Sequence, residues 1–183
     1  MRRYCIISFL CLSLLSSVAL AGVTQNDAAL ILDTLLDLEN PAHRSTNEQG
    51  KPVYDALRAY QDWAALYQKY AQRDRDSAQF SQDSLRVYLL LGWIAQAKLD
   101  AATMEAFAGD LVPLYERNEE SVLGVLKDLP FLISSTCRYL DRHFGFEDKN
   151  RDKKPVFLAA HADRIKQVLT PKDAESCIRY FED

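Results

Sequence analysis

A chain of 183 residues is long enough for one well-buried core and too short for several large domains. Apolar residues make up 48%, aromatics 10% and charged residues 26%, which excludes a disordered tail, while six Gly and six Pro exclude a collagen-like or linker-dominated chain. The formal net charge of −4 argues against a broad nucleic-acid surface, because phosphate binding needs clustered Lys and Arg.

Residues 1–21 read as a cleaved secretory signal. Arg2 and Arg3 supply a positive start, Ile6 to Leu15 is apolar with only Ser interruptions, and Ala19-Leu20-Ala21 offers small residues at a cleavage site. The run from Ile6 to Ala21 falls short of the roughly twenty residues needed to span a bilayer. Gly22 stands where a lipid-anchored chain would need Cys. The expected mature chain is therefore residues 22–183, one helical domain placed in the periplasm or outside the cell. Cleavage removes two arginines and no acid, moving the formal charge from −4 to −6. It also removes Cys5 and Cys11. Cys137 and Cys177 remain, and an oxidising compartment joins such a pair. No Asn-x-Ser/Thr sequon occurs, which fits a bacterial periplasm better than a eukaryotic secretory route.

The mature chain reads as all-α, because apolar residues recur every three or four positions and strand-like alternation is nearly absent. Asn26 caps a first helix carrying Leu30, Ile31, Leu35 and Leu38. Glu39 to Lys51 is a polar loop, and Pro52 opens a second helix running to about Arg73. A third, from about Gln82 to Lys98, is apolar on most sides and should be central. Asp100 caps a fourth, with a break expected near Gly109-Asp110 ahead of Pro113. Asn118 caps a short fifth ending near Asp128.

Pro130 opens a sixth helix that Gly145 stops, and Pro155 opens a seventh. Thr170-Pro171-Lys172-Asp173 is a strong start for an eighth, combining a capping hydroxyl, an N1 proline and an acid at the third position. Cys137 lies on the stripe Ile133, Cys137, Leu140 and Phe144; Cys177 lies on the stripe Ala174, Cys177, Ile178 and Phe181. Both stripes face a core, so the sixth and eighth helices pack side by side and their sulfurs meet.

Eight helices with short connections suggest successive antiparallel hairpins. Leu111-Val112-Pro113-Leu114, followed by Asn118, Val122 and Leu126, is similar to one unit of a HEAT-type repeat, about twenty residues of the chain. That resemblance implies a stacked-hairpin superhelix; an irregular helical bundle is the other arrangement compatible with the pattern, since no second copy in phase is present.

Catalytic signatures are missing. The chain has no Gly-rich phosphate loop, no Gly-x-Ser-x-Gly, no His-Glu-x-x-His and no Ser-x-x-Lys. His43, His143 and His161 are far apart in sequence, so no metal site and no cofactor is expected. Asp148-Lys149-Asn150-Arg151-Asp152 echoes half a calcium loop, but Lys153 replaces the turn Gly and Ala159 the bidentate Glu. It reads as a solvated charged loop. Cys137 with His143 would make a nucleophile and base only if the thiol were free and exposed.

Tyr60, Trp63, Tyr67 and Tyr70 repeat at helical spacing along the second helix. They form a core-facing stripe or, if Leu57, Ala64 and Leu66 fill the inward face, a candidate partner surface. The leading functional reading is a non-enzymatic exported protein that binds another protein, such as an immunity-type inhibitor of an envelope-acting toxin. Its loops Asn40 to Lys51 and Phe146 to Lys154 would reach a partner's cleft. The rival is an envelope enzyme cleaving glycan through paired carboxylates, with Glu105 and Glu116 as candidates, or a small-ligand carrier.

Overall fold

The computed structural model describes residues 44–73, 81–99, 101–145 and 150–182. The expected signal and the helix expected at residues 26–38 lie outside them, as does His43. The described chain is a two-stranded ribbon followed by six α-helices. Strand β1 (Arg44–Thr46) pairs antiparallel with β2 (Pro52–Tyr54), Ser45 opposite Val53. The helices are α1 (Ala56–Arg73), α2 (Gln82–Lys98), α3 (Ala101–Asp128), α4 (Ile133–Gly145), α5 (Lys154–Val168) and α6 (Pro171–Glu182).

The expected start of the second helix at Pro52 is wrong by four residues, because the turn chemistry before it closes a hairpin. The Asn47 side chain accepts hydrogen bonds from the backbone N–H of Gln49 (3.1 Å) and Lys51 (2.9 Å). Gly50 takes φ +73°, a conformation costly for any residue with a Cβ. Pro52 then sits in a two-stranded ribbon, and α1 starts only after Asp55. The Asp55 carboxylate accepts from the Arg58 N–H at 3.0 Å and caps the helix. Residues 44–51 of the expected Asn40 to Lys51 loop are thus ordered by this ribbon.

The break expected near Gly109-Asp110 is absent, and α3 continues through Pro113. Pro113 forfeits one backbone hydrogen bond, to the carbonyl of Gly109, but Gly109 is exposed and water can take that carbonyl. Phe107, Leu111, Leu114 and Tyr115 are buried on both sides of the proline, and their burial outweighs a proline penalty of about 3 kcal/mol. Asn118 does mark a change of direction, at φ −133° and ψ 30°. Its amide Nδ2 donates to the Leu114 carbonyl at 3.1 Å, and α3 is two helical segments meeting at this kink, where the sequence places the start of a fifth helix.

The stacked-hairpin, HEAT-like arrangement is also corrected. A repeat array confines each hairpin to its neighbours, whereas α2 packs against α1, α3 and α4 at once. One hydrophobic cluster extends from Trp63 in α1 to Phe181 in α6. The architecture is an irregular all-α bundle in which α2, α3 and α4 pack against one another, and Leu85, Val87, Tyr88, Leu89, Leu91 and Ile94 of α2 are buried, as its all-round apolar pattern requires.

Two polar tips tie the outer helices to α2. Trp63 Nε1 of α1 donates to the Leu91 carbonyl at 2.8 Å, and the Tyr139 hydroxyl of α4 donates to the Gly92 carbonyl at 2.9 Å. Such bonds let large amphipathic rings enter a core without stranding a donor. Between them Tyr88 stacks on Phe107 with centroids 4.7 Å apart, and Phe107 meets Tyr139 at a tilt, 4.8 Å away. At the other end, Thr170 caps α6 through its Oγ1, which accepts from the Asp173 N–H at 3.3 Å. Cys137 and Cys177 are both buried and joined, S–S 2.03 Å and Cα–Cα 5.3 Å, so α4 and α6 lie side by side.

Candidate protein-binding surface

The aromatic stripe of α1 belongs to the core and is corrected as a partner surface. Trp63 is 4% and Tyr70 1% exposed. Tyr67 is half-buried; it stacks on Trp63 at 4.9 Å, and its hydroxyl donates to the Asp110 carboxylate of α3. Tyr60 alone of the four is exposed, together with Leu57. Trp63 can turn inward because the Leu91 carbonyl meets its N–H.

A different face presents the composition found at binding hot spots, where Trp, Tyr and Arg are enriched. A 3₁₀ turn, Pro130–Leu132, precedes α4. It buries Leu132 and leaves Phe131 54% exposed, its ring edge-on to Trp93 of α2 at 5.9 Å. Ser134 and Arg138 follow at spacings of three and four on the same exposed face of α4. Tyr180 reaches this face from α6: its hydroxyl lies 2.7 Å from Ser134 Oγ, and the Arg138 guanidinium sits over its ring at 5.5 Å. The Ser134 hydrogen bond, with Arg138 assisting, draws the Tyr180 phenol below its usual range. Cys137 adjoins Arg138 and Cys177 lies three residues before Tyr180, so the buried bridge sits beside these contacts. It fixes the register of α4 against α6 and therefore the seating of Tyr180 between Ser134 and Arg138.

Other polar clusters serve the packing of α3. Glu119 Oε1 accepts from the Tyr115 hydroxyl at 3.2 Å and lies 2.8 Å from His161 Nδ1 of α5. The His161 ring packs between Tyr115 (5.2 Å) and Phe157 (4.4 Å), and burial with the nearby Glu119 pushes the Tyr115 phenol far up. Arg164 pairs with Glu120 beside it. No free nucleophile joins this cluster among the described residues. Cys137 cannot serve one, since its sulfur is bonded to Cys177.

His143 of α4 is held below its ordinary imidazole value by burial. Its hydrogen bond to the Ala108 carbonyl and the nearby Glu116 oppose that shift, and Lys153 adds to it. Because the folded value is depressed, the unfolded chain takes the proton more readily. Stability is therefore lost as pH falls through the ordinary value of 6.5 toward the folded one. We expect the melting temperature of His143→Gln to fall less between pH 7.5 and 5 than that of the wild type; equal slopes would exclude His143 as a source of acid sensitivity.

The two acids singled out for glycan cleavage are not a pair. Glu105 and Glu116 stand eleven residues apart on one helix, about 16 Å along its axis, against roughly 5 to 9.5 Å for glycosidase carboxylates. Among the described residues, no group of three or more His, Cys, Asp and Glu is arranged to hold a metal ion. Asp148 and Lys149 lie outside the described residues. Arg151–Lys153 forms a 3₁₀ turn into α5, and Lys154 Nζ pairs with Asp141 at 2.8 Å.

No family model, curated protein or solved structure matches this chain. Function has to be argued from its own surface. A groove of about 510 Å³ runs along α5 and α6, floored by Pro171, Ala174 and Ile178. Its rim carries both signs of charge, and Arg179 and Glu175 close on each other at 3.1 Å. No helix among the described residues is long and apolar enough to cross a membrane.

Proposed function

We propose that this chain is an exported, non-enzymatic protein that acts by binding another protein, through the face formed by Trp93, Phe131, Ser134, Arg138 and Tyr180. The observation that carries the reading is Phe131, a large apolar ring 54% exposed and braced against Trp93, beside an exposed arginine on a tyrosine. Exposed apolar area on a rigid scaffold favours association because little side-chain entropy is lost on docking. The α4–α6 staple supplies that rigidity.

Its concrete form is an immunity-type inhibitor that occupies an envelope-acting toxin. The motifs missing from the sequence support an inert binder. Co-expression with each envelope-targeted toxin encoded beside the gene tests this form. Rescue of growth by the wild type, lost with Phe131→Ser and retained with Leu57→Ser, is the expected result. The cost at Phe131 should reach about 2 kcal/mol, roughly thirtyfold in affinity. Equal rescue by all three proteins would remove Phe131 from the interface, and no rescue from any neighbouring toxin would end the inhibitor reading.

A further inference from the structure

We infer that the segment of the partner taken by this face carries a carboxylate about 10 Å from an aromatic or branched apolar side chain. This rests on the reading of the Phe131 face as the interface and adds what chemistry it selects. Arginines on three other helices are closed by acids: Arg86 by Asp83 and Asp128, Arg164 by Glu120, and Arg179 by Glu175. Arg58, Arg117, Arg142 and Arg138 meet no carboxylate among the described residues, but of these four Arg138 is the one that lies over an aromatic ring on the Phe131 face. Among the described residues its partner is the Tyr180 ring, and no carboxylate pairs with it.

The guanidinium carries five N–H donors, and the contact with Tyr180 leaves donors for an incoming acceptor. A carboxylate is the acceptor that fits such a fork in two parallel bonds. The chain has 26 acids against 22 bases, so an unclosed cation amid aromatic rings is a local reversal of its charge. Phe131 lies seven residues before Arg138, about 10 Å along the element. An apolar side chain set against Phe131 and Trp93 would therefore stand about three extended residues, or two helical turns, from the acid. The Ser134–Tyr180 hydrogen bond keeps the Tyr180 ring under the guanidinium, so the two subsites hold a fixed spacing.

The probe is a dodecapeptide library displayed on phage and selected on the immobilised, disulfide-intact protein. Enriched peptides are then synthesised and titrated against wild type, Arg138→Gln, Phe131→Ser and Leu57→Ser, each checked for an unchanged helical spectrum. The expected result is a shared Asp or Glu whose replacement by the amide costs about tenfold against wild type and little against Arg138→Gln. Added salt should weaken the acidic peptides. Enriched peptides without an acid, indifferent to Arg138→Gln yet lost with Phe131→Ser, would overturn the carboxylate and leave the interface standing. Peptides indifferent to both substitutions, or no enrichment at all, would overturn the interface and the carboxylate together.

Discussion

Replacing Cys137 and Cys177 together by Ala is expected to lower the free energy of unfolding by about 4 kcal/mol. The bridge closes a loop of 40 residues, and in the chain-entropy model most of its effect lies in the unfolded state. Native packing adds to the loss, since both sulfurs are buried and their removal leaves space between α4 and α6. Urea denaturation of the double variant beside the oxidised wild type measures the difference. A gap below about 1 kcal/mol would mean that α4 and α6 keep their register by packing alone. Wild type in excess reductant should converge on the variant. The Tyr180 phenol should meanwhile return toward its ordinary range, because it is the staple that holds Ser134 and Arg138 beside it.

The second large effect is at Gly92, where two forces oppose each other. Ala is the better helix former by about 1 kcal/mol, so propensity alone predicts a gain from Gly92→Ala. A Cβ at this position would meet Phe107 Cε1 and Cζ at 2.5 Å. The ring has little room to retreat, because Tyr88 and Tyr139 pack against it with centroids 4.7 and 4.8 Å away. Steric conflict in a close-packed core costs about 1–3 kcal/mol and reverses the sign. Phe107→Ala, which empties the same space, should cost about 3–5 kcal/mol. In that background Gly92→Ala should become neutral or stabilising, with Phe107→Leu as the milder background if the larger truncation does not fold. Additive losses around the four-member cycle would show that Gly92 and Phe107 do not share this contact.

Much of the helical framework was legible in the chain. Pro130, Pro155 and the Thr170-Pro171 start each open a helix within a residue or two of the expected position, because capping and proline geometry are local. The two cysteine stripes predicted the bridge for the same reason: facing directions follow from helical spacing. Where local and distant effects compete, the reading failed. Pro113 looked like a break, yet burial of Phe107, Leu111, Leu114 and Tyr115 carries α3 through it. Pro52 looked like a helix start, yet Asn47 and Gly50 close a ribbon first.

The candidate surface was the least legible part. The α1 rings Trp63 and Tyr70 and the exposed Phe131 are all large aromatics in helical surroundings, and periodicity does not rank them. What separates them is which distant elements pack over each ring; for the rings with a polar tip a distant acceptor also meets it, as Leu91 does for Trp63 and Asp110 for Tyr67. A local signal did exist for Phe131, which follows Pro130 and precedes the inward-facing Leu132 in a tight turn.

The sequence by itself determined the helical class, the cysteine pairing and most helix starts, because each follows from interactions within a few residues or from the direction a helix imposes on its side chains. Only the tertiary structure decided that the helices form an irregular bundle and not stacked hairpins, that α3 passes through Pro113 and that most of the aromatic stripe of α1 lies inside. Those outcomes depend on burial and on hydrogen bonds between residues more than twenty-five apart, as from Trp63 to Leu91 or from Tyr139 to Gly92. No periodicity in a chain records which distant carbonyl will receive a ring's donor.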